Sequence, residues 1–217
     1  MTKNVLLCGV GGQGTVLASR LIALAAMEKG MEARGAETIG MAQRGGSVVS
    51  HVRIGEEIHS PLIPYKAADV IIGFEPAEAV RCLPYLKKGG CMVVSPVPIR
   101  PVTASLTGGA YTGNEMMEYL KQTVDNLVVV DGTAICAQSG SPKVLNVALL
   151  GAAIASGLIG ISLEEMEQAI LKRVPEKFRA MNVTALNLGA ASEHASKTED
   201  RTNEDERIPV PSHKGTA

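Results

Sequence analysis

The chain has 217 residues, a net charge of −1 at pH 7, 46% hydrophobic residues and only 3% aromatic residues, with no Trp. This near-neutral charge excludes the basic footprint of a nucleic-acid-binding protein, and the scarcity of rings excludes a stacking platform for single strands. The length allows one domain with an aliphatic core, which favours α/β layers. Because no segment resembles a signal peptide or an apolar membrane span, we expect a cytoplasmic protein.

The first strand and the turn after it organise the chain. Residues 4–8 form a short, largely apolar run, which predicts a parallel strand buried on both faces. The spacing Gly-x-Gly-x-x-Gly follows at Gly9, Gly11 and Gly14, and residues 15–29 predict a helix. Glycines allow a tight turn and close approach of a ligand, and the free N–H groups of a helix start suit an anion. Two interpretations stay open: a dinucleotide-binding turn, and a turn whose glycines serve only helix–strand packing.

A polar second strand is predicted over residues 31–37. Glu32 and Glu37 lie near the place where a dinucleotide-binding fold carries an acidic residue for the ribose, about 20 residues past the glycines. Neither residue stands at the end of an apolar strand, so a role at the protein surface is favoured. Residues 38–47 predict a loop in which Arg44 stands beside glycines. This loop is either a receptor for an anion or carbonyl group or a plain surface loop.

A β-hairpin inserted into the sheet is predicted next. Residues 48–54 alternate as a strand, residues 55–57 form the turn, and residues 58–60 return. His51 and His59 would then face each other across the hairpin. Two histidines without a third ligand indicate solvated side chains rather than a metal site, so we predict no metal.

Three further buried strands complete the predicted sheet, with helices between them. The strands cover residues 68–74, 91–95 and 127–130, and the helices cover residues 75–86 and 113–124. Pro84 should bend or shorten the first helix, and Gly89–Gly90 should form a turn. Asp131 follows the last strand, at the edge where open α/β sheets place their sites, and is equally a turn-former. The pattern predicts an α/β, Rossmann-like three-layer fold with a mostly parallel sheet and a β-hairpin insertion.

The C-terminal part is predicted to be helical up to a charged tail. Residues 141–158 form a helix so apolar that it needs cover on several sides, which indicates an interface with another chain. Ser162 opens the next helix with a capping box, and a last helix runs from residue 175 to 188. We expect one Rossmann-like domain over residues 1–191 and a charged, disordered or loosely docked tail over residues 192–217.

The four cysteines are Cys8, Cys82, Cys91 and Cys136, and no two stand at Cys-x-x-Cys spacing. This pattern predicts small buried side chains rather than ligands. Because cluster motifs usually show closely spaced thiolates, we expect no iron–sulfur cluster in this chain.

Several motifs together resemble one family. They are the glycine turn at 9–14, Ala-Glu-Thr-Ile-Gly-Met-Ala-Gln-Arg-Gly-Gly-Ser at 36–47, His51-Val-Arg53, Ser60-Pro61, the strand end at 69–75 and Asn146-x-x-x-Leu-Gly151. With them the chain resembles the gamma-type component of 2-oxoacid:ferredoxin oxidoreductases, and it is most similar to that of the indolepyruvate type. The similarity covers roughly residues 3–190, and the stretch at 36–47 is its most specific part.

The resemblance implies a subunit of a larger enzyme. Such enzymes use thiamine diphosphate with Mg²⁺ to decarboxylate a 2-oxoacid, pass electrons through [4Fe–4S] clusters to ferredoxin, and transfer the acyl group to coenzyme A. For this type it implies arylpyruvate substrates. The chain has no Gly-Asp-Gly followed by Asn at the spacing of a thiamine site and no cluster motif. A large thiamine- and cluster-containing partner subunit would therefore hold these cofactors, and the chain alone would be inactive.

The residues expected to contact ligand or partner lie in two segments, and no catalytic residue is assigned. Two flexible backbone-amide segments and one permanent cation suit a diphosphate or a carboxylate. Two other interpretations stay open: a free-standing Rossmann-like nucleotide-binding protein and a purely structural subunit. The expected contact residues are Gly11, Gly12, Gln13, Gly14, Gln43, Arg44, Gly45, Gly46 and Ser47.

Overall fold

A mixed six-stranded sheet forms the centre of the molecule. The computed structural model describes residues 1–39, 46–99 and 111–205. The strands are β1 (Lys3–Val10), β2 (Glu32–Ile39), β3 (Ser47–Gly55), β4 (Ala68–Gly73), β5 (Leu86–Val94) and β6 (Leu127–Val129), in the spatial order β2-β3-β1-β4-β5-β6. β1, β4, β5 and β6 pair in parallel, whereas β3 is antiparallel to both β1 and β2. The predicted mostly parallel sheet is confirmed.

Helices cover both faces of this sheet. Within the described residues they are α1 (Thr15–Glu28), α2 (Pro76–Cys82), α3 (Asn114–Thr123), α4 (Gly132–Ser139), α5 (Leu145–Ala155), α6 (Leu163–Arg173) and α7 (Glu176–Asp205). One core cluster joins the sheet to α1, α5, α6 and α7, and a second joins its other face to α2 and α3. The predicted three-layer α/β architecture is thereby confirmed. In the part of the chain that the structure describes, no helix combines the length and apolarity that crossing a bilayer needs.

β1 occupies the middle of the sheet as its sequence predicts. Its side chains from Val5 to Cys8 are fully buried, because helices cover both faces at this position. α1 begins directly after Gly14, whose φ of 82° is left-handed. It ends at Glu28, before Gly30 with a φ of 81°. Both ends of α1 thus rest on conformations that glycine adopts at little cost.

The β-hairpin is formed by β3 and the strand before it, β2, rather than by β3 and the residues after it as predicted. β3 confirms the strand at 48–54, but its hairpin partner is β2, with Ile39 opposite Val48. Residues 58–60 form no strand. His51 is buried and its Nδ1 accepts the N–H of Ile63 at 3.1 Å, whereas His59 is exposed. The predicted facing histidine pair is therefore wrong, because alternation reports which strand face is buried and not which strand lies beside it.

The predicted turn at Gly89–Gly90 is also wrong, since β5 already begins at Leu86. A Cβ on Gly90 would lie 2.8 Å from Leu86 Cδ1 and 3.0 Å from the carbonyl oxygen of Ala68. The pairing of β4 with β5 shifts register between Ala68 and Val70. Gly90 therefore allows close strand approach at a bulge. Pro84 acts as predicted: α2 ends at Cys82 and a 3₁₀ turn over Leu83–Tyr85 follows.

The most apolar helix is covered by its own chain. The predicted helix at 141–158 divides into a 3₁₀ turn, Pro142–Val144, and α5, in which every residue from Asn146 to Ile154 is buried. α7 supplies much of this cover, and the backbones meet at Gly151 and Gly189. The partner chain that this apolarity suggested is therefore not needed to bury it.

The C-terminal helices differ from prediction only in length. Ser162 forms the predicted capping box with Glu165, and α6 ends at Arg173. α7 runs to Asp205, beyond both the predicted end at residue 188 and the domain boundary at residue 192. Residues 206–217 of the predicted tail lie outside the described residues. The domain division stays a prediction.

Candidate functional site

The candidate site lies at the carboxyl ends of β1 and β4. In open α/β sheets, ligands bind at this edge where the chain order reverses. Here the chain leaves β1 toward β2 on one side and later forms β4 on the other side of β1. The glycine turn follows β1, and the first residue of β3, Ser47, lies opposite Val10 at the same edge.

The two segments predicted to contact ligand meet at this edge. The N–H of Gly11 donates to the carbonyl oxygen of Gly46 at 2.9 Å. This bond holds the end of the β2–β3 connection against the glycine turn. Gln43, Arg44 and Gly45 lie outside the described residues. Their ligand contacts stay predictions.

Gln13 holds the turn in shape. Its Oε1 accepts the N–H of Val10 at 2.7 Å, and its Nε2 donates to the carbonyl oxygen of Phe74 at 2.8 Å. A Cβ on Gly9 would lie 2.6 Å from Gln13 Oε1 and 2.8 Å from Phe74 Cβ. Gly9 therefore leaves room for a side chain that joins the ends of β1 and β4. Because both ends of the Gln13 amide are bound within the chain, its role here is to position the turn.

Gly12 and Gly14 both have positive φ but different surroundings. A Cβ on Gly14 would lie 2.6 Å from Asn146 Nδ2, which donates to the Gly14 carbonyl oxygen at 3.3 Å. Gly12, with φ of 102°, has no described atom within 4 Å of that position. Thus Gly14 is required by packing, whereas Gly12 leaves an open approach to the turn.

The N-terminus of α1 offers unbonded amides beside this open approach. No side chain caps α1, and the N–H of Ala18 donates to the Gly14 carbonyl oxygen at 3.1 Å. The N–H groups of residues 15–17 precede that bond and have no partner among the described residues. The positive end of the helix dipole adds to their attraction for an anion.

Two buried carboxylates lie at the same edge, after β4. Glu75 caps α2 by accepting the N–H of Glu78 at 3.1 Å and also accepts the hydroxyl of Tyr111. Glu78 accepts the hydroxyl of Ser47 at 2.6 Å and pairs with Arg81 at 3.2 Å. The predicted contact residue Ser47 is thus fixed to α2. The prediction of site residues missed these acids, although two acids three positions apart directly after a buried strand could have indicated them.

Glu37 does not occupy the ribose position of a dinucleotide-binding fold. β3 separates β2 from β1, so Glu37 lies two strands, about 10 Å, from the strand that carries the glycine turn. Its carboxylate instead accepts the hydroxyl of Ser19 at 3.3 Å. Asp131 caps α4 by accepting the N–H of Thr133 at 2.9 Å, which supports its interpretation as a turn-former.

The cysteines behave mainly as buried side chains. Cys8, Cys82 and Cys91 are buried, as predicted, and Cys136 is partly exposed. The hydrogen bond between the Cys8 and Cys82 thiols is the main cause that raises the pKa of Cys8, and burial raises it further. The same hydrogen bond lowers the pKa of Cys82. In the described ranges no group of three or more His, Cys, Asp or Glu side chains is arranged to hold a metal ion.

Because of Tyr111, the stability of this edge of the sheet decreases at alkaline pH. Burial raises the pKa of Tyr111 above the ordinary value of 10.0, and its hydrogen bond to Glu75 is the second cause of this increase. The folded chain therefore holds the phenol proton more tightly than the unfolded chain. This contribution to stability is complete below about pH 10 and is lost as pH rises toward the folded-state pKa.

We expect the stability difference between the unmodified chain and Tyr111→Phe to shrink above that pH, because the variant has no phenol to titrate. Urea unfolding from about pH 8 to 11 measures it. Tyr119→Phe, at an exposed tyrosine on α3, is the control and should follow the unmodified chain. A constant difference for Tyr111→Phe across the range would contradict the assignment.

Comparison with known proteins identifies relatives among the oxoacid oxidoreductases. The family model for pyruvate ferredoxin/flavodoxin oxidoreductase matches residues 4–192. Indolepyruvate oxidoreductase subunit IorB of Pyrococcus horikoshii is 35% identical over 188 residues, which is 86% of this chain and 93% of that relative. The pyruvate/ketoisovalerate oxidoreductases common subunit gamma of Thermococcus kodakarensis is 29% identical over 165 residues, which is 75% of this chain and 81% of that protein.

Solved structures agree with these matches. The gamma subunit of a keto/oxoacid ferredoxin oxidoreductase from Geobacter sulfurreducens superposes with a TM-score of 0.65 at 25% identity, covering 90% of this chain and 98% of its own. The pyruvate oxidoreductase subunit PORC from Thermotoga maritima has the same fold, with a TM-score of 0.66 at 23% identity over 88% of this chain and 96% of its own.

Proposed function

This chain belongs to the pyruvate ferredoxin/flavodoxin oxidoreductase family, and from that premise we propose that it is the small subunit of an indolepyruvate-type enzyme. The observation that carries the proposal is the match to subunit IorB of Pyrococcus horikoshii over 93% of that relative at 35% identity. The common gamma subunit of pyruvate and ketoisovalerate enzymes is less similar, at 29%. This difference favours an arylpyruvate over pyruvate as the substrate.

In the proposed reaction a 2-oxoacid and coenzyme A yield an acyl-coenzyme A, CO₂ and a proton, and two electrons pass one at a time to ferredoxin. Thiamine diphosphate with Mg²⁺ would stabilise the carbanion and [4Fe–4S] clusters would carry the electrons, and we assign these groups to the large partner subunit. This chain would complete the complex and contribute one wall of the ligand-binding region.

The carboxyl edge of the sheet suits the role of such a wall. The free amides at residues 15–17 and the open side of Gly12 can receive a phosphate or carboxylate. Gln13 and Asn146 hold the backbone of the turn from inside the chain. We propose that Gly11, Gly12, Gly14, Gly46 and the predicted cation Arg44 contact the ligand or the partner at this edge.

The alternative of a free-standing nucleotide-binding protein fits less well. A dinucleotide site needs an acidic residue on the strand next to β1, and here the antiparallel β3 occupies that place. The acid at the corresponding distance along the chain, Glu37, bonds to Ser19 instead.

Reconstitution tests the proposed function. We expect the purified chain alone to show no turnover above the buffer control. Its complex with the co-expressed large subunit should reduce ferredoxin only when an arylpyruvate and coenzyme A are both present. The assay compares indolepyruvate, phenylpyruvate and pyruvate, and the large subunit alone is the control. Turnover by the isolated chain, or a complex that prefers pyruvate, would contradict the proposal.

A further inference from the structure

A cavity opens on the α1 side of the sheet, next to the glycine turn. It lies between the first turn of α1, the 3₁₀ turn before α5 and the junction of α6 with α7, and its volume is about 520 Å³. Small-molecule sites in proteins typically measure about 300–1,000 Å³ and are mainly apolar with a few placed polar groups.

The floor and walls of this cavity are apolar. They are formed by Leu17, Val144, Phe178 and Met181. Val144 is 1% exposed and belongs to the core, whereas Phe178 is 40% exposed at the rim. An aromatic or long aliphatic group placed here would lose contact with water on several sides.

The charged residues that line the cavity are both cations. Lys143 and Arg173 lie at its rim, and no acidic residue lines it among the described residues. Neighbouring lysines have partners: Lys172 pairs with Glu28 at 2.6 Å, and Lys29 pairs with Glu165 at 3.0 Å. Lys143 and Arg173 make no ion pair within the described part of the chain. Two unpaired cations at the rim of an apolar cavity favour a ligand with one carboxylate.

A buried amide provides one further polar group. Asn182 lines the cavity although it is only 7% exposed. Its Nδ2 donates to the carbonyl oxygen of Phe178 at 2.8 Å, and its Oδ1 has no partner among the described residues. The amide oxygen is thus a free acceptor at an otherwise apolar position, and a ring N–H or hydroxyl would satisfy it.

We propose that this cavity binds an aromatic monocarboxylate. The carboxylate lies between Lys143 and Arg173, the ring packs on Leu17 and Phe178, and Asn182 Oδ1 accepts a hydrogen bond from a donor on the ring. Every residue named in this proposal belongs to the described part of this chain, and none comes from a partner. Occupancy of the cavity therefore does not depend on the proposed function. Ligand binding to the isolated chain tests the cavity, whereas reconstitution with the large subunit tests the proposed function.

Indole fluorescence gives a direct measurement, because the chain contains no Trp. Titrating indole-3-acetate with the full-length chain should change the emission of the indole with saturation at one ligand per chain. Indole-3-acetamide, which lacks the charge, should bind at least about fivefold more weakly. Equal binding of acid and amide would overturn the assignment of a carboxylate.

Variants that remove the two rim cations test whether the ligand binds in this cavity. The double variant Lys143→Gln with Arg173→Gln should weaken indole-3-acetate binding by at least about fivefold, because it removes both cations. Lys88→Gln with Lys121→Gln removes the same charge at exposed positions elsewhere and should leave binding unchanged. Equal weakening in both double variants would overturn the site, because it would show attraction by net charge alone.

Methyl-labelled methionines locate the ligand independently of the variants. The Met181 methyl resonance should shift on adding indole-3-acetate, because Met181 lines the cavity. Met92, fully buried in the other core cluster, is the internal reference and should not shift. Saturable binding without a shift at Met181, or no binding at millimolar ligand, would overturn the proposal.

Discussion

Replacing Gly189 by Ala is expected to lower the free energy of unfolding by about 3 kcal/mol, near the upper range for overpacking of a core. The added Cβ would lie 1.9 Å from the carbonyl oxygen of Ala148, a contact that requires α5 and α7 to move apart. Alanine also favours helix by about 1 kcal/mol relative to glycine, so the steric term must exceed that gain. For a chain of this size we expect a Tm lower by about 6–12 °C.

Thermal unfolding of matched variants tests this expectation. Gly151→Ala should behave like Gly189→Ala, because its Cβ would lie 2.0 Å from the carbonyl oxygen of Leu186 across the same contact. Thr184→Ala, at an exposed position on α7, changes helix propensity without entering the contact and should shift the Tm little. A Tm for Gly189→Ala at or above that of the unmodified chain would show that the helices are not held this close.

In the complex with the large subunit, Gly12→Ala is expected to raise KM for coenzyme A or the 2-oxoacid roughly tenfold, since a displacement of about 1 Å costs that much or more. The expectation rests on the proposed function. A Cβ on Gly12 meets no described atom of this chain, so it would instead meet a ligand or partner that approaches the turn. The left-handed φ of 102° adds strain of about 1–3 kcal/mol, which the fold should tolerate.

Gly30→Ala separates backbone strain from ligand contact. Gly30 also has a left-handed φ, of 81°, and no described atom lies within 4 Å of its Cβ position, but it lies at the opposite end of α1. We expect Gly30→Ala to lower the Tm without changing KM. Steady-state kinetics and assembly by size-exclusion chromatography are measured for both variants. Identical kinetics of the two variants would indicate that the turn serves packing alone.

The elements that were predicted correctly are those whose residue pattern directly reflects burial or a local backbone conformation. β1 is apolar because it lies centrally, and Gly14 and Gly30 mark the two ends of α1. The hairpin was misplaced because strand alternation carries no information on the neighbouring strand. β3 alternates equally well whether it pairs with residues 58–60 or with β2. Residues 38–47 carry no short turn signature in the sequence, so nothing local indicated that β2 and β3 pair.

One feature of the fold and one of the site were beyond sequence reasoning because they depend on distant contacts. Glycine pairs usually mark turns, yet Gly90 is buried at an irregularity within β5, which has more residues than β4 between the paired positions Ala68–Leu86 and Val70–Cys91. Glu75 and Glu78 are buried because Tyr111 and Ser47, from remote segments, donate hydrogen bonds to them. The glycine turn and the Ser47 segment were identified from sequence, but their direct contact through Gly11 and Gly46 emerges only from the strand order.

The position of β2 at the border of the sheet limits how further chains can attach. No other described strand pairs with its outer edge, and the exposed side chains of Glu32, Arg34 and Glu37 place charges of both signs along it. Charged borders of this kind discourage another strand from extending the sheet, and the opposite border, β6, is only three residues long. Both borders therefore disfavour fibre-like growth of the sheet from one chain to the next.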